Sequence, residues 1–327
     1  MVIRRLVATF GFAGAAFTTP ILAAQTDPAA AAHPCDSQTG ATRNVCRAGY
    51  DALSLMLPVG AMAVTGGNPV LGTAAGGRGF GDVGITIRST FLRTVLPATS
   101  YDGVADTVPA ARRLPVSAPT LDLRFGLVRK ALPVGAVSAD FLGSVSGIPK
   151  TATDYVRFAP DVRSLAGVAL GFGYGLRIGV EPNGPLPVVS LNFGRKDLPK
   201  FTIGDLSDGS NWAYTVAVSA IDARLMLGRR FGLFELAAGG GVDLITGNYS
   251  IVFRDQDTGL PAARADSSMS AMRIVTTVNG GLVLGRARLT VEGGFQVGKD
   301  DKLPTVFQAI NGRSGRFFGG LGFGFKL

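Results

Sequence analysis

From about residue 57 to the C-terminus, apolar positions recur with a period of two, the signature of extended strands. In FGDVGITIRSTFLR, Val83, Ile85, Ile87 and Phe91 share one face, with Asp82, Thr86, Arg88 and Thr90 on the other. Leu121, Leu123, Phe125 and Leu127 oppose Asp122 and Arg124, and Val137, Ala139, Phe141 and Val145 oppose Ser138, Asp140 and Ser144. In VALGFGYGLRIGV, Val168, Leu170, Phe172, Tyr174, Leu176 and Ile178 oppose a row of glycines and Arg177. The second half repeats the pattern around Phe193, Leu236, Ile274 and Val291, opposite Asn192, Glu235, Arg273 and Glu292. WAYTVAVSAIDARLML keeps no single parity, which predicts a bulge near Ser219.

Connections between these segments alternate in length. RKALP, EPNGPLP, GRRF and GRAR are tight, whereas residues 96–118, 147–163, 195–210, 254–268 and 300–313 are long and rich in Gly, Pro, Asp and Ser. Short turns at one end and long loops at the other describe a transmembrane barrel, with the short turns periplasmic. Ten strands follow from about Phe80, and LPVGAMAVTGGNPVLGTAAGG reads as one more hairpin. The expectation is an all-β, antiparallel up-and-down transmembrane barrel of about 12 strands, within a range of 10 to 14. The alternative for that stretch is a plug inside the lumen.

Composition supports lipid as the solvent of the apolar face. Charged residues make up only 17% of the chain and 46 residues are glycine. A soluble sheet would turn a polar face to water. Here the face opposite the apolar one is too rich in glycine to be an ordinary surface. No run of about 18 apolar residues follows residue 25, so the crossings are expected to be strands.

The N-terminus reads as an export signal over residues 1–24, with MVIRR, then LVATFGFAGAAF, then ILAA before Gln25. Residues 25–56 form an N-terminal segment with a short helix in RAGYDALSLML, and residues 57–327 the barrel. Cys35 and Cys46 are the only cysteines, and an exported chain with an even pair predicts a disulfide. Two cysteines and the single His33 are too few ligands for a metal site, and no cofactor is expected.

Assigning the less apolar parity to the lumen yields a charge network of Asp82, Arg88, Asp122, Arg124, Asp140, Arg177, Asp222, Arg224, Glu235, Asp243, Arg273 and Glu292. Near-balance of sign suits pairing across a narrow interior, and the rival use is a polar track for a solute. His33 lies outside the strands, so a Ser–His hydrolase is not expected, and the chain is read as a non-enzyme. Asp255 and Asp257 read as a solvated turn. The net charge of +9, which falls to +7 once Arg4 and Arg5 leave with the signal, is spread rather than clustered, so no nucleic-acid partner is expected. Trp212, Tyr214, Tyr249 and Phe253 read as an aromatic girdle at the outer interface. Arg129, Lys130, Arg229, Arg230, Arg286 and Arg288 lie in or beside the short turns.

These features resemble bacterial outer-membrane β-barrel proteins. Leu321-x-Phe323-x-Phe325-x-Leu327 is similar to the C-terminal signature such proteins present to their assembly machinery, with Leu where Phe is usual. GGNPVLG is similar to the Asn-Pro region of FadL-like hydrophobic-compound transporters. The resemblance implies an outer-membrane location, contact with outer-membrane lipid and lipopolysaccharide, and the assembly machinery as partner during biogenesis. The apolar exterior, small diameter, glycine-lined interior and disulfide-tethered N-terminal segment lead to the expectation of a narrow channel or transporter for a small, hydrophobic solute. The alternative is a structural or interaction barrel with a filled, salt-bridged lumen and partner-binding outside loops.

Overall fold

The computed structural model describes residues 33–105, 107–149, 156–158, 162, 164–165, 167–261, 264–299, 303–307 and 315–327. The expected export signal lies outside them. Ten long strands close on themselves: β1 (Val83–Pro97), β2 (Ala110–Leu132), β3 (Gly135–Pro149), β4 (Val168–Pro182), β5 (Val188–Asp197), β6 (Trp212–Phe231), β7 (Phe234–Phe253), β8 (Ala265–Leu284), β9 (Ala287–Lys299) and β10 (Arg316–Lys326). Each pairs antiparallel with the next, and β10 pairs with β1 in the register Ile85↔Phe325 to Leu92↔Phe318. Closure leaves no unpaired edge, which is what allows strands to stand in lipid. Four tight turns lie at one end of the barrel and the long connections at the other.

Outward side chains form a broad apolar belt. On β4 it comprises Phe172, Tyr174, Leu176, Ile178 and Val180, all of even number and all exposed. Nine residues of tilted strand span roughly 25 Å, the height of a lipid-facing band. Leu321, Phe323, Phe325 and Leu327 all belong to this outward face.

The expected extra hairpin does not form, and the barrel begins at Val83 rather than at residue 57. Residues 40–65 are instead one helix, α1 (Gly40–Thr65), which runs inside the barrel. Every residue from Asp51 to Thr65 is buried. Burial on all sides is the expected state of a helix apolar all round, and here the strands enclose it. By length and composition α1 could cross a membrane, but its neighbours are the barrel wall. Gly49 meets Trp212 and Ile251 near the long-loop end, and Gly60 meets Leu198 further in. The helix therefore enters from the long-loop mouth and points its C-terminus toward the short turns.

This occupant explains the irregular parity of β6. No bulge interrupts the β6–β7 register from Trp212↔Phe253 to Phe231↔Phe234. Trp212, Tyr214, Val216, Val218 and Ala220 all point inward with Asp222, Arg224 and Met226. What changes along the strand is the environment of each face. Below Ser219 the outside is apolar and the inside charged; above it the outside carries Thr215 and Ser219, and the inside packs on α1. The same inversion separates Leu244 from Thr246 on β7 and Met272 from Ser270 on β8. The expected outer aromatic girdle is thus a core: Trp212 and Tyr214 are fully buried, and Tyr249 and Phe253 nearly so.

Val278 lies at the middle of the outward belt of β8, and Ser268 lies above it. Val278→Arg is expected to cost about 2–4 kcal/mol in unfolding from a bilayer. Ser268→Arg is expected to stay within about 0.5 kcal/mol. Equal effects would mean that the inversion does not mark the edge of the lipid.

Candidate functional site

Below the last turn of α1, residues 66–82 cross the lumen before entering β1. Gly66 ends the helix with φ +63° and donates to Met62 O at 3.0 Å. Two wall cations then meet the final carbonyls. Lys196 Nζ donates to Val64 O at 2.9 Å and to Thr65 O at 3.3 Å. Arg88 Nη2 donates to the same two oxygens at 3.3 and 3.2 Å. The negative end of a helix favours cations, and unpaired carbonyls inside a protein are costly.

The segment after the helix is held residue by residue. Arg224 Nε donates to Gly67 O at 3.1 Å, and Glu292 accepts from Gly67 N at 3.4 Å and from Asn68 N at 3.1 Å. Asn279 Oδ1 accepts from Gly72 N at 3.4 Å, and Glu235 accepts from the Thr73 hydroxyl. Arg177 donates to Ala75 O, and both carboxylate oxygens of Asp140 accept from Gly77 N at 3.1 and 3.0 Å. Wall anions thus take backbone N–H groups and wall cations take carbonyls. We call this arrangement the clasp.

Glycine is required where backbone meets side chain. A Cβ on Gly67 would lie 2.4 Å from Thr277 Oγ1, and one on Gly77 would lie 2.4 Å from Asp140 Oδ1. The inward glycines of β10 serve the same packing. A Cβ on Gly322 would lie 2.6 Å from Leu71 Cδ2, and one on Gly320 would lie 2.8 Å from Glu292 Cγ.

All twelve residues of the expected lumen network point inward, and several pair. Arg88 meets Asp122 at 2.6 Å, Arg124 meets Asp82 at 2.9 Å and Asp140 at 3.9 Å, and Arg224 meets Asp243 at 2.6 Å. Arg273 is fully buried and sits opposite Asp243 in the β7–β8 register. Asp222 Oδ1 is buried without a hydrogen-bond partner among the described residues. Arg288 pairs with Glu235 at 2.8 Å, and Lys326 with Asp82 at 3.0 Å. Sequence reasoning missed Lys196, Asn68 and Thr73, whereas Asn279 falls on the inward parity with Arg273 and Thr277. The signal for the missed residues was the run of glycines at 66–81, which marks backbone passing close to other groups.

At the long-loop mouth, Cys35 and Cys46 form a disulfide that ties the first turn of the described chain to α1. Asn44 Nδ2 donates to Gly103 O at 2.9 Å, and Gln256 N donates to Thr42 Oγ1 at 3.0 Å. Asp51 accepts from Thr305 N at 3.1 Å and from the Thr305 hydroxyl, both in the connection from β9 to β10. Asp51 therefore lies above the lipid belt, under the loops. Burial pushes its carboxyl from an ordinary 3.8 up to about 7, against the lowering effect of the Thr305 bonds. No group of three or more metal-ligating side chains occurs among the described residues.

No protein-family model matches this sequence, and no curated protein matches it significantly. Comparison with solved structures returns the outer membrane protease OmpT from Escherichia coli, at 12% identity and a TM-score of 0.34, covering 75% of this chain and 95% of that one. It also returns the translocator domain of the autotransporter NalP from Neisseria meningitidis, at 10% identity and a TM-score of 0.35, covering 86% and 96%. The toluene transporter TodX from P. putida is similar at 9% identity and a TM-score of 0.27, covering 75% and 88%. At these scores the activities of those proteins are theirs alone.

A carboxyl whose folded pKa is raised favours the folded state while protonated. The contribution of Asp51 is therefore full below pH 3.8 and lost as pH rises through about 7. Asp51→Asn is expected to flatten the stability of the reconstituted protein across that window, measured by urea unfolding at several pH values. An unchanged pH profile would remove Asp51 as its source.

Proposed function

We propose that this protein is an integral outer-membrane barrel kept closed by its own N-terminal segment, which enters the lumen from the outer mouth. The observation that carries this reading is the seat of α1. An apolar helix lies in an apolar upper lumen, and its last carbonyls are bonded from two walls by Arg88 and Lys196. The charge network then serves chiefly to hold the clasp, and the filled, salt-bridged interior favours the interaction barrel over an open pore. The disulfide-stapled cap and the long loops would be the surface presented outside.

A narrow channel stands as the second reading because a cavity of about 500 Å3 reaches under the clasp from the short-turn mouth. Its many arginines suit a charged solute better than a hydrophobic one. Passage would require the helix to move.

In planar bilayers the protein is expected to show no steady conductance. Arg88→Gln with Lys196→Gln is expected to give transient openings, since unpairing buried charged groups costs several kcal/mol. A Cβ built on Gly49 lies 3.5 Å from Trp212 Cβ, a spacing that suits a disulfide. Gly49→Cys with Trp212→Cys should therefore silence those openings when oxidised. Steady conductance by the unaltered protein, or openings that persist through the crosslink, would refute the closed state.

Direction is tested separately on intact cells. An epitope inserted between Ser37 and Gln38 should bind antibody from outside, and one between Asn183 and Gly184 only after permeabilisation. The reverse result would invert the topology.

A further inference from the structure

We infer that the short-turn mouth is a binding site for a phosphate-bearing anion. This rests on the barrel topology and not on whether the helix moves. The cavity of about 500 Å3 is lined by nine Arg or Lys side chains and four Asp or Glu. Asp82 and Asp140 stand behind Arg124 and Lys326, and counting them as well leaves three positive charges unmatched. A chamber of one sign with low-dielectric walls raises the local concentration of counter-ions.

The cations are also short of hydrogen-bond acceptors. Arg78 and Arg286 make no ion pair among the described residues. Arg230 donates to the carbonyl of Gly232 at 2.8 Å and pairs with no carboxylate there. Arg288 gives Nη2 to Glu235, while its Nε is buried without a hydrogen-bond partner among the described residues. Behind the lining, Arg177 is 1% exposed and holds Ala75 O, a cavity residue, with Nη2. Its Nε and Nη1 have no hydrogen-bond partner among the described residues.

Guanidinium forks match oxyanions that accept several hydrogen bonds at once. A monocarboxylate neutralises one of the three charges and reaches one fork. A phosphate monoester or diphosphate brings two or more charges and oxygens directed to several sides. The chemistry fits a soluble phosphate ester or the phosphomonoester headgroup of a lipid in the facing leaflet.

Calorimetry with inorganic pyrophosphate tests this on the full chain in phosphatidylcholine nanodiscs. Saturable binding that weakens with salt is expected, and Arg230→Gln with Arg286→Gln should reduce affinity by roughly tenfold or more. Arg93→Gln with Arg264→Gln removes the same charge at exposed positions away from this mouth and should leave binding unchanged. Correct folding of each variant is checked by heat-modifiable mobility on gels. Adding phosphatidic acid to the discs separates the sources. Lost pyrophosphate binding identifies the headgroup as occupant, and retained binding a soluble ligand. No binding in phosphatidylcholine, or equal loss in both double variants, overturns the proposal.

Discussion

The rest of the structure depends on filling the interior of a ten-stranded tube. Eight strands enclose a space that their own side chains can fill, and sixteen or more leave an aqueous channel. Ten lie between, and here the gap is about one helix wide. Its occupant is the chain's own α1, kept slim by Gly49, Ala52, Gly60, Ala61 and Ala63. Dry filling requires an apolar wall, which β1, β6, β7 and β8 supply above the lipid belt. The inversion of face along these strands is thus a packing requirement and not a fault in the sheet.

Where the helix stops, the chemistry of the lumen changes. A terminating helix and a crossing segment bring backbone polar groups into a space with little water, and each needs a partner. The lower wall meets carbonyls with Arg88, Lys196, Arg224 and Arg177, and N–H groups with Glu292 and Asp140. The wall charges are themselves costly to bury, and pairing with each other and with the backbone offsets that cost. One charge network therefore stabilises both the barrel interior and the segment within it. Its cationic surplus collects at the short-turn mouth.

Much of this was legible in the sequence because strands report their faces directly. The ten strands, the inward parity of Asp140, Arg177 and Glu292, and the outward parity of Phe323 and Phe325 all follow from a period of two. The helix was not legible beyond residue 56. LPVGAMAVT alternates by coincidence, and Pro58 argues against a helix that in fact contains it. Trp212 and Tyr214 were misread for a related reason. An aromatic residue near a strand end suits a lipid interface and a helix core equally well, and only the occupant of the lumen decides between them. The glycines at 66–81 were visible, but their purpose depends on Thr277, Asp140 and Glu292, which are distant in sequence.

The central claim is that α1 is a packed part of the barrel, and amide hydrogen exchange in the lipid-reconstituted protein tests it most directly. Amides from Asp51 to Thr65 should exchange as slowly as those of β6 and β7, because a helix sealed in the lumen opens only with the barrel. Exchange of these amides within seconds, while the strands stay protected, would contradict the account.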